Sequence, residues 1–450
     1  MKSFLISGDR SGAGKTSITL GISAVLAKTS TVQTYKVAMD YIDTSYLSGV
    51  TGRPAYNLDS YVQSHAEMSG LFSYGSRDAD FGIVEGVRGL YEGSEPLSDT
   101  GSTAAVAKRF DLPVVLVVNA RSITRSAAAI VKGFQVFDPD VHIAGVILNN
   151  TGPGRHVQKA TEAIEHYCGI PVLGAVPRSD EMQLASRHLG LVPFREGGGD
   201  ELFTSRIEAV TNHVADHVDL DALKEVAQNV TPEDNEVTKK LAEHPGKTKR
   251  IGIAYDEAFN FYYGELSAVL ESRGGEVVYF SPIRDSLPDC DGYIFGGGYP
   301  ELFAKELAEN ASMCEDVLSA VKQDIPVYAE CGGLMYLCSS LSIEDGWHNA
   351  SGGTYPMCNV YDGKAKIPVQ KVLGYVSGTA NISARLIHFK GHEFHYSGVH
   401  LKDAVYSYAL DRGTGIMNGK DGAKKKNCIA AYTHLMPVAS AELLYSVLQL

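Results

Sequence analysis

A glycine-rich loop near the start of the 450-residue sequence constrains the fold more than any other feature. The loop "SGDRSGAGKTS" begins at the end of the apolar run "SFLISG" and leads into the helical pattern "SITLGISAVLA". Glycines in such a loop turn backbone N–H groups toward phosphate oxygens, and the positive end of the following helix faces the same anion. The order strand, loop, helix predicts a phosphate-binding site in an α/β domain with a parallel sheet.

The side chains of this loop suit a nucleotide. Lys15 can neutralise the outer phosphates, and the Thr16 hydroxyl can ligate Mg²⁺. The standard motif has glycine where this chain has Asp9, and Gly8 stands one residue earlier. We expect ATP, or a close relative of it, and Mg²⁺ to bind here. The loop residues expected to hold the nucleotide are Gly12, Gly14, Lys15, Thr16 and Ser17.

Acidic side chains follow the next predicted strands. Asp40 and Asp43 lie in "KVAMDYIDTSYLSGVTGRP", and Glu85 and Glu92 lie in "VEGVRGLYEG". A triphosphate site needs carboxylates that hold the metal ion directly or through water. Glu85 ends a strand, the usual place for such a ligand in an open parallel sheet. Each carboxylate alone could equally be a solvated loop residue, so the prediction depends on their joint position at consecutive strand ends.

Alternating strand and helix patterns predict an α/β fold in two domains. Up to about residue 220, β-rich runs such as "FGIVEG" and "LPVVLVVNA" are followed by helical patterns, which is typical of a parallel sheet. The charged segment "TPEDNEVTKKLAEHPGKTKR" indicates a linker, and a second βα series starts at "RIGIAYD". Further on, "VLGYVSGTANIS" and "GHEFHYSGVH" indicate antiparallel strands. We predict a P-loop domain over residues 1–225, a linker over 226–249 and a second α/β domain over 250–450.

A cysteine stands on a sharp corner in "PVYAECGGLMYL". The pattern predicts a buried strand before Cys331 and a helix after it, so the thiol lies at the helix N-terminus, which favours the reactive thiolate. Gly332 and Gly333 leave room for an incoming carbonyl, and the Gly332 N–H is a natural half of an oxyanion hole. The glycine-rich turn "GGGYPE" is the candidate for the other half. We therefore predict a nucleophilic cysteine.

A nucleophilic cysteine also needs a base. His434 in "AAYTHLMPVAS" and His392 or His395 in "GHEFHYS" are the candidates. For a lone histidine a structural or surface role is the commoner one, and the sequence by itself leaves the choice open.

Composition excludes some classes of protein. The formal net charge of -13 argues against a protein whose main task is binding nucleic acid. The longest apolar run, "LPVVLVVNA", is too short to span a membrane. Seven cysteines without a C-x-x-C pair fit a reducing cytoplasm and indicate neither a metal site nor a disulfide framework.

Together, these segments resemble the cobyrinic acid a,c-diamide synthase family of glutamine-dependent amidotransferases. The resemblance covers essentially the whole chain, from the phosphate loop through "GGGYPELFA" and "AECGGLMYL" to "YTHL". It implies a dethiobiotin-synthetase-like P-loop domain followed by a class I glutamine amidotransferase-like domain. It also implies a carbon–nitrogen ligase that uses ATP, Mg²⁺ and L-glutamine to amidate a tetrapyrrole. A homodimer is left open.

The resemblance assigns roles in the second domain. Cys331 looks like the glutaminase nucleophile and His434 like its base. Class I relatives orient this histidine with a glutamate two residues later, where the present chain has Met436, so the third member is unidentified. The residues implied for the oxyanion hole or glutamine pocket are Gly297, Gly298 and Gly332. "GHEFHYS" is a mark of the family without an assigned role.

The resemblance assigns roles in the first domain as well. Lys36 resembles a lysine that contacts phosphate or carboxylate, and Asn149 resembles an asparagine that reads adenine. The residues implied for the metal ion are Thr16, Asp43 and Glu85. The residues implied around the substrate and its acyl phosphate are Asp40, Tyr41, Arg88 and Glu92. Corrin-amidating relatives usually carry aspartate at the position of Glu92.

The resemblance leaves the macrocycle open between two substrates. One is Ni-sirohydrochlorin, on the way to the nickel coenzyme of methanogenesis, and the other is cobyrinic acid, on the way to cobalamin. "VEGVRGLYEG" with "NLDSYV" looks more like the archaeal nickel branch, so we favour the a and c acetates of Ni-sirohydrochlorin.

Other classes of protein share parts of the pattern. CTP synthase has the same domain order but keeps a His-Pro-Glu ending that this chain lacks, and cobyric acid synthase differs after the phosphate loop. A P-loop regulatory ATPase with a non-catalytic C-terminal module would not need the Cys331 corner. A stand-alone glutaminase with a regulatory nucleotide domain would hydrolyse glutamine without amidating a carboxylate.

Overall fold

The computed structural model describes residues 1–182, 186–187, 190–191, 194 and 201–450. These residues form two compact units, Met1–Thr238 and Lys239–Leu450. No helix in the described part of the chain combines the length and the apolar character needed to cross a membrane.

The first unit is a parallel sheet with helices between its strands. Its strands are β1 (Lys2–Gly8), β2 (Val32–Val37), β3 (Tyr56–Leu58), β4 (Phe81–Glu85), β5 (Val114–Asn119), β6 (Ile143–Thr151), β7 (Val172–Pro177), β8 (Ser186–Arg187), β9 (Gly190–Leu191) and β10 (Gln228–Asn229). Its helices are α1 (Lys15–Ala27), α2 (Ile42–Thr51), α3 (His65–Ser76), α4 (Thr103–Arg109), α5 (Arg125–Phe137), α6 (Gly154–Cys168), α7 (Glu201–His217), α8 (Leu220–Val226) and α9 (Glu236–Ala242), which continues into the second unit.

The main sheet of this unit has the order β3-β2-β4-β1-β5-β6-β7, with β10 antiparallel to the start of β1. Its central strands are buried on both faces, because helices cover both sides of a parallel sheet built from βαβ units. In such sheets ligands bind beyond the carboxyl ends of the strands. The phosphate loop after β1 and the acidic segments after β2 and β4 all lie at that edge.

The second unit combines a mixed sheet with a smaller one. Its strands are β11 (Lys249–Ala254), β12 (Phe259–Phe261), β13 (Gly275–Phe280), β14 (Gly292–Phe295), β15 (Gly297–Gly298), β16 (Val327–Glu330), β17 (Cys338–Ile343), β18 (Gly353–Pro356), β19 (Tyr361–Ile367), β20 (Val372–Ile382), β21 (Arg385–His395), β22 (Gly398–Leu401), β23 (Val405–Arg412), β24 (Lys420–Lys425), β25 (Cys428–Ala431) and β26 (His434–Leu435). Its helices are α10 (Leu266–Glu271), α11 (Ala304–Glu309), α12 (Ala311–Lys322), α13 (Gly332–Leu337) and α14 (Ala441–Leu448).

The large sheet of this unit has the order β13-β11-β14-β16-β25-β24-β23-β20-β21-β26. The five strands from β13 to β25 are parallel, and the rest are antiparallel. A smaller sheet with the order β18-β17-β19-β22 packs into the same hydrophobic core. The predicted α/β fold class is confirmed, and β20 and β21 form the expected antiparallel pair.

The segment predicted as a linker, 226–249, contains ordered structure. Gln228 and Asn229 pair with Ser3 and Lys2 of β1, and α9 lies in the same segment. The predicted domain bounds stay a prediction.

Candidate functional site

The phosphate loop has the backbone that an anion cradle requires. Gly12 and Gly14 adopt φ values of +75° and +96°, which residues other than glycine rarely adopt. A Cβ atom at Gly14 would lie 2.0 Å from Nδ2 of Asn149, so that position accepts only glycine. Lys15 is buried at the start of α1, and its ammonium donates to the carbonyl of Arg88. Burial, followed by the charge of Lys36, lowers the pKa of Lys15.

Asp9, which replaces the motif glycine, is accommodated by its neighbour. Its Oδ2 accepts hydrogen bonds from the Arg10 guanidinium at 2.7 and 3.2 Å, and its backbone N–H donates to Val117 of β5. Gly8 carries the close approach instead, because a Cβ atom there would lie 2.9 Å from the Arg10 carbonyl and 3.0 Å from Cβ of Ala13. The close backbone approach in this loop is therefore at Gly8, one residue before the glycine of the standard motif.

A buried cluster of oppositely charged groups lies beside the loop. The Lys36 ammonium donates to Asp43 Oδ2 at 2.6 Å and to Glu85 Oε1 at 2.7 Å. The Thr16 hydroxyl donates to the same two carboxylates, at 3.3 and 2.8 Å. The structure thus brings together all three residues predicted for the metal ion, and the Lys36 ammonium lies between them.

Burial shapes the protonation of this cluster. Burial alone would lower the pKa of Lys36, but Asp43 and Glu85 raise it well above its ordinary value. Burial raises the pKa of Glu85 to about 7, with Lys36 opposing the rise and Asp43 adding to it. Lys36 therefore remains charged, and it keeps two neighbouring carboxylates from repelling each other.

The donors of this cluster fit a hard divalent cation. Hydroxyl and carboxylate oxygens are the ligands that Mg²⁺ prefers, usually together with phosphate oxygens and water. In the described part of the chain, no group of three or more His, Cys, Asp or Glu side chains could hold a metal ion. A Mg²⁺ ion at this place would depend on Thr16, Asp43 and Glu85 together with the phosphates of the nucleotide.

The four residues predicted around the substrate lie on two neighbouring loops. Asp40 Oδ1 accepts the N–H groups of Ile42 and Asp43, so this carboxylate caps α2, and burial raises its pKa to about 6. Tyr41 precedes α2 and is buried.

The other two, Arg88 and Glu92, are exposed on the loop after β4. The Arg88 guanidinium donates to the carbonyls of Glu92 and Gly93. The Glu92 carboxylate packs so closely on Gly89 that a Cβ atom there would lie 2.1 Å from it.

A cavity of about 170 Å³ opens beside the phosphate loop. Gly12, Gly14, Ser17, Asn149 and Arg178 are among the residues that line it. The Asn149 side chain donates from Nδ2 to the carbonyl of Ala13 at 2.8 Å, so its amide ties β6 to the loop. The cavity therefore adjoins the loop residues that are predicted to hold the nucleotide.

The predicted cysteine corner exists in the second unit. Cys331 lies between β16 and α13 with φ = +47°, a strained value for a residue other than glycine. Its backbone N–H donates to Ala431 of β25 at 2.7 Å, which holds the corner against the neighbouring strand. The thiol is buried, and its Sγ atom lies 3.9 Å from the carbonyl of Phe394.

His434 is the histidine that the fold brings to Cys331. The Cys331 side chain is among the groups that raise the pKa of His434, so the two side chains are neighbours. Burial alone would lower the pKa of His434, but Cys331 and Glu330 raise the pKa to about 10. His392 stacks on His434 with 4.9 Å between ring centroids, and burial lowers its pKa well below the ordinary value. The other candidate, His395, stacks instead on Tyr432.

The glycines predicted for the oxyanion hole lie against this pair. A Cβ atom at Gly297 would lie 2.7 Å from Cε1 of His434, and one at Gly332 would lie 3.3 Å from the backbone nitrogen of Gly298. Gly298 itself has φ = +152°. The turn and the corner are therefore in contact, which only residues without side chains allow.

Sequence reasoning missed one neighbour of His434, Glu330. Its Oε2 lies 3.3 Å from Nδ1 of His434. The signal was present, since an acidic residue directly precedes the nucleophile in "AECGG", but strand and turn patterns do not tell which side chains meet across a sheet.

Two family models match the chain. The CobQ/CobB/MinD/ParA nucleotide binding domain matches residues 4–192, and the CobB/CobQ-like glutamine amidotransferase domain matches residues 250–441. Each match covers most of one unit.

Curated relatives match nearly the whole chain. The cobyrinate a,c-diamide synthase of Methanosarcina barkeri is 45% identical over 99% of this chain and 95% of its own length. That of Methanosarcina acetivorans is 46% identical over 99% and 94% of the two chains. That of Methanosphaera stadtmanae is 39% identical over 96% and 95%.

Proposed function

The chain belongs to the cobyrinate a,c-diamide synthase family, and we propose that it amidates the a and c acetate side chains of a tetrapyrrole. As a member of this family it is a ligase with glutamine as amide donor. The proposal adds ATP as the activating nucleotide, Mg²⁺ as its cation and Ni-sirohydrochlorin as the macrocycle.

The proposed reaction combines glutamine hydrolysis, which supplies ammonia, with activation of an acetate by ATP, and together they give an amide. Cys331 attacks the amide carbon of glutamine, ammonia leaves, and water hydrolyses the thioester to glutamate. An acetate oxygen of the macrocycle attacks the γ-phosphorus of ATP, and ADP leaves an acyl phosphate behind. Ammonia then attacks the acyl carbon and phosphate departs. Two such cycles give the diamide, and the Mg²⁺ ion would supply neutralisation of the phosphate charge.

The observation that carries the proposal is that one chain contains both candidate sites, the cysteine–histidine pair and the phosphate loop with its carboxylates. The Cys331–His434 pair is the arrangement of a thiol nucleophile and its base. The loop around Lys15 and the Thr16 hydroxyl, with Asp43 and Glu85, suits a nucleotide and a hard cation. A regulatory ATPase would need no nucleophilic corner, and a stand-alone glutaminase would amidate neither macrocycle.

The choice of macrocycle depends on a few side chains. The segments "VEGVRGLYEG" and "NLDSYV" favour Ni-sirohydrochlorin, which would place the enzyme in biosynthesis of the nickel coenzyme of methanogenesis. The relatives, which are cobyrinate a,c-diamide synthases by name, favour the second candidate, cobyrinic acid. Both substrates present acetate side chains to the same activating chemistry.

A side-by-side amidation assay tests the function. The purified chain receives ATP, Mg²⁺ and glutamine with either macrocycle, and mass spectrometry counts carboxylates that become amides. We expect two conversions on Ni-sirohydrochlorin and few or none on cobyrinic acid. The reverse result would assign the chain to cobalamin synthesis.

A variant of the nucleophile separates the two half-reactions. Cys331→Ala should lose amidation from glutamine and keep amidation from ammonium chloride at high pH, because free ammonia bypasses the thioester. Loss of both activities in a folded variant, or glutamine hydrolysis by the unaltered chain without amidation of either macrocycle, would refute the proposed coupling.

A further inference from the structure

His434 of the proposed glutaminase lacks the glutamate that class I relatives carry two residues after this histidine. Two residues after His434 the chain carries Met436, a fully buried side chain without a charge. An imidazole that takes a proton from a thiol needs its other nitrogen held as a donor, because otherwise the ring can rotate or adopt the wrong tautomer. A different residue must supply that acceptor, or the pair works without one.

Glu330 lies where such an acceptor is required. Its Oε2 lies 3.3 Å from Nδ1 of His434, and both side chains are almost completely buried. This leaves the other ring nitrogen, Nε2, for Cys331, whose side chain also interacts with His434. The three side chains therefore form a chain of contacts in the order carboxylate, imidazole, thiol.

Glu330 is itself rigidly held. Its other oxygen, Oε1, accepts the Tyr328 hydroxyl at 2.6 Å and the backbone N–H of Leu435 at 3.0 Å. Leu435 follows His434 directly, so one carboxylate fixes both the side chain and the backbone of β26. The residue ends β16, whose pairing with β25 continues through Glu330 and Ala431.

We propose that Glu330, the residue directly before the nucleophile, positions His434 and replaces the missing glutamate of the class I arrangement. The inference rests on the proposed glutaminase function of Cys331. Glu330 touches neither glutamine nor the thiol in this role. It holds the Nδ1 proton in place, leaves Nε2 directed at Sγ, and stabilises the imidazolium that carries the proton of the thiol.

Other charged or titratable groups around His434 do not offer the same contact. His392, opposite on β21, stacks on the ring and is held neutral by burial. His395 stacks on Tyr432, and the Glu393 carboxylate accepts the N–H groups of Thr414 and Gly415. Among these groups only Glu330 is a carboxylate within reach of Nδ1.

The test compares Glu330→Gln with Glu344→Gln, an exposed glutamate of the same unit, in the full-length chain. We expect Glu330→Gln to lower kcat for glutamine hydrolysis by roughly 100-fold or more with little change in KM, because positioning acts on the chemical step. The rate of Cys331 alkylation by iodoacetamide at neutral pH should fall, since the thiol loses a correctly oriented imidazole beside it. Glu344→Gln should change neither quantity.

Two further measurements keep the inference separable from folding and from the proposed function. Amidation with ammonium chloride should be unchanged in Glu330→Gln, and Glu330→Asp, which keeps a carboxylate, should recover part of kcat. An unchanged kcat and alkylation rate in Glu330→Gln would overturn the inference. If Glu330→Gln does not fold, a folded Glu330→Ala variant with unaltered kcat and alkylation rate would do the same. If no macrocycle is amidated while hydrolysis still responds to Glu330, the proposed function fails and this inference stands.

Discussion

Gly297 shows how one missing side chain shapes the candidate glutaminase site. The His434 ring packs directly over its Cα, because a Cβ atom at that position would lie only 2.7 Å from Cε1 of the ring. Distances below 3 Å between such carbon atoms are not tolerated, so a methyl group must push the imidazole aside. The ring would then move away from Cys331 and Glu330 together.

Gly297→Ala should therefore impair the proposed glutaminase selectively. Displacement of a catalytic group by about 1 Å costs on the order of 100-fold in rate, so we expect a fall of that size in kcat for glutamine hydrolysis. Amidation from ammonium chloride should persist, because the first unit is unchanged. Steady-state kinetics with both nitrogen donors provide the measurement.

Gly374→Ala is the matched control, since nothing lies within 4 Å of a Cβ atom at that position in the same unit. It should leave both activities unaltered. Equal activity of Gly297→Ala and the unaltered chain would contradict the tight packing of the ring.

At the scale of residues, local sequence patterns predicted the position of Cys331 but not the contacts of Glu330 and Lys36. Cys331 was identifiable because strand, turn and helix signals surround it in one short stretch. His434 was one of three candidates, and the structure brings it to the thiol. Glu330 and the Lys36 contacts were not identifiable, since both depend on which strands lie side by side.

Lys36 joins three elements at the carboxyl edge of the first sheet. It lies on β2, Glu85 ends β4, and Asp43 belongs to the first turn of α2. The side chains of Lys36 and Glu85 are 3% and 0% exposed, so the ion pair is shielded from water. Removal of one partner from a buried pair leaves an uncompensated charge, which typically costs 3–5 kcal/mol.

Lys36→Met should destabilise the chain in a pH-dependent way. The folded-state pKa of Glu85 already lies above its ordinary value, at about 7, and without Lys36 it should rise further. A raised carboxyl pKa costs stability as the pH rises from the unfolded pKa through the folded one. Relative to the unaltered chain, the variant should thus lose about 1 kcal/mol more stability at pH 8 than at pH 5, as urea unfolding can measure, because one pH unit above the Glu85 pKa is worth about 1.4 kcal/mol.

An exposed ion pair provides the control for this prediction. Lys402 and Asp362 are 3.1 Å apart and 67% and 68% exposed, so Lys402→Met should cost at most about 1 kcal/mol at either pH. A Lys36→Met variant with the same loss at pH 5 and pH 8 would show that packing, rather than charge, explains its instability.

At the level of elements, periodicity was informative where strands and helices alternate. The strands around the phosphate loop and the cysteine corner follow their apolar runs closely. The pairing of β10 with β1 was not predictable, because Gln228 and Asn229 are polar and form backbone hydrogen bonds that leave no apolar pattern. The surrounding segment is charged and also lacks an apolar pattern, so it indicated a linker.

The whole molecule consists of two units, each with its own hydrophobic core. The end of the first unit reaches beyond residue 225. Val230 donates its N–H to Met1 at 3.0 Å, Asn235 donates to Ala66 at 2.8 Å, and the buried Thr238 donates to Gly70 at 3.1 Å. A Cβ atom at Gly70 would lie 2.6 Å from Val237, so α9 packs tightly on α3.

These contacts make the domain boundary testable with two fragments. A fragment of residues 1–243 keeps β10 and α9, whereas a fragment of residues 1–225 loses both and exposes the surfaces of β1 and α3 that they cover. We expect the longer fragment to be more stable by on the order of 2–4 kcal/mol in urea unfolding, from the lost apolar burial and hydrogen bonds. Both should bind an ATP analogue if they fold, because the phosphate loop lies far from the cut in sequence. Equal unfolding midpoints would instead support the boundary at residue 225, with 226–249 as a true linker.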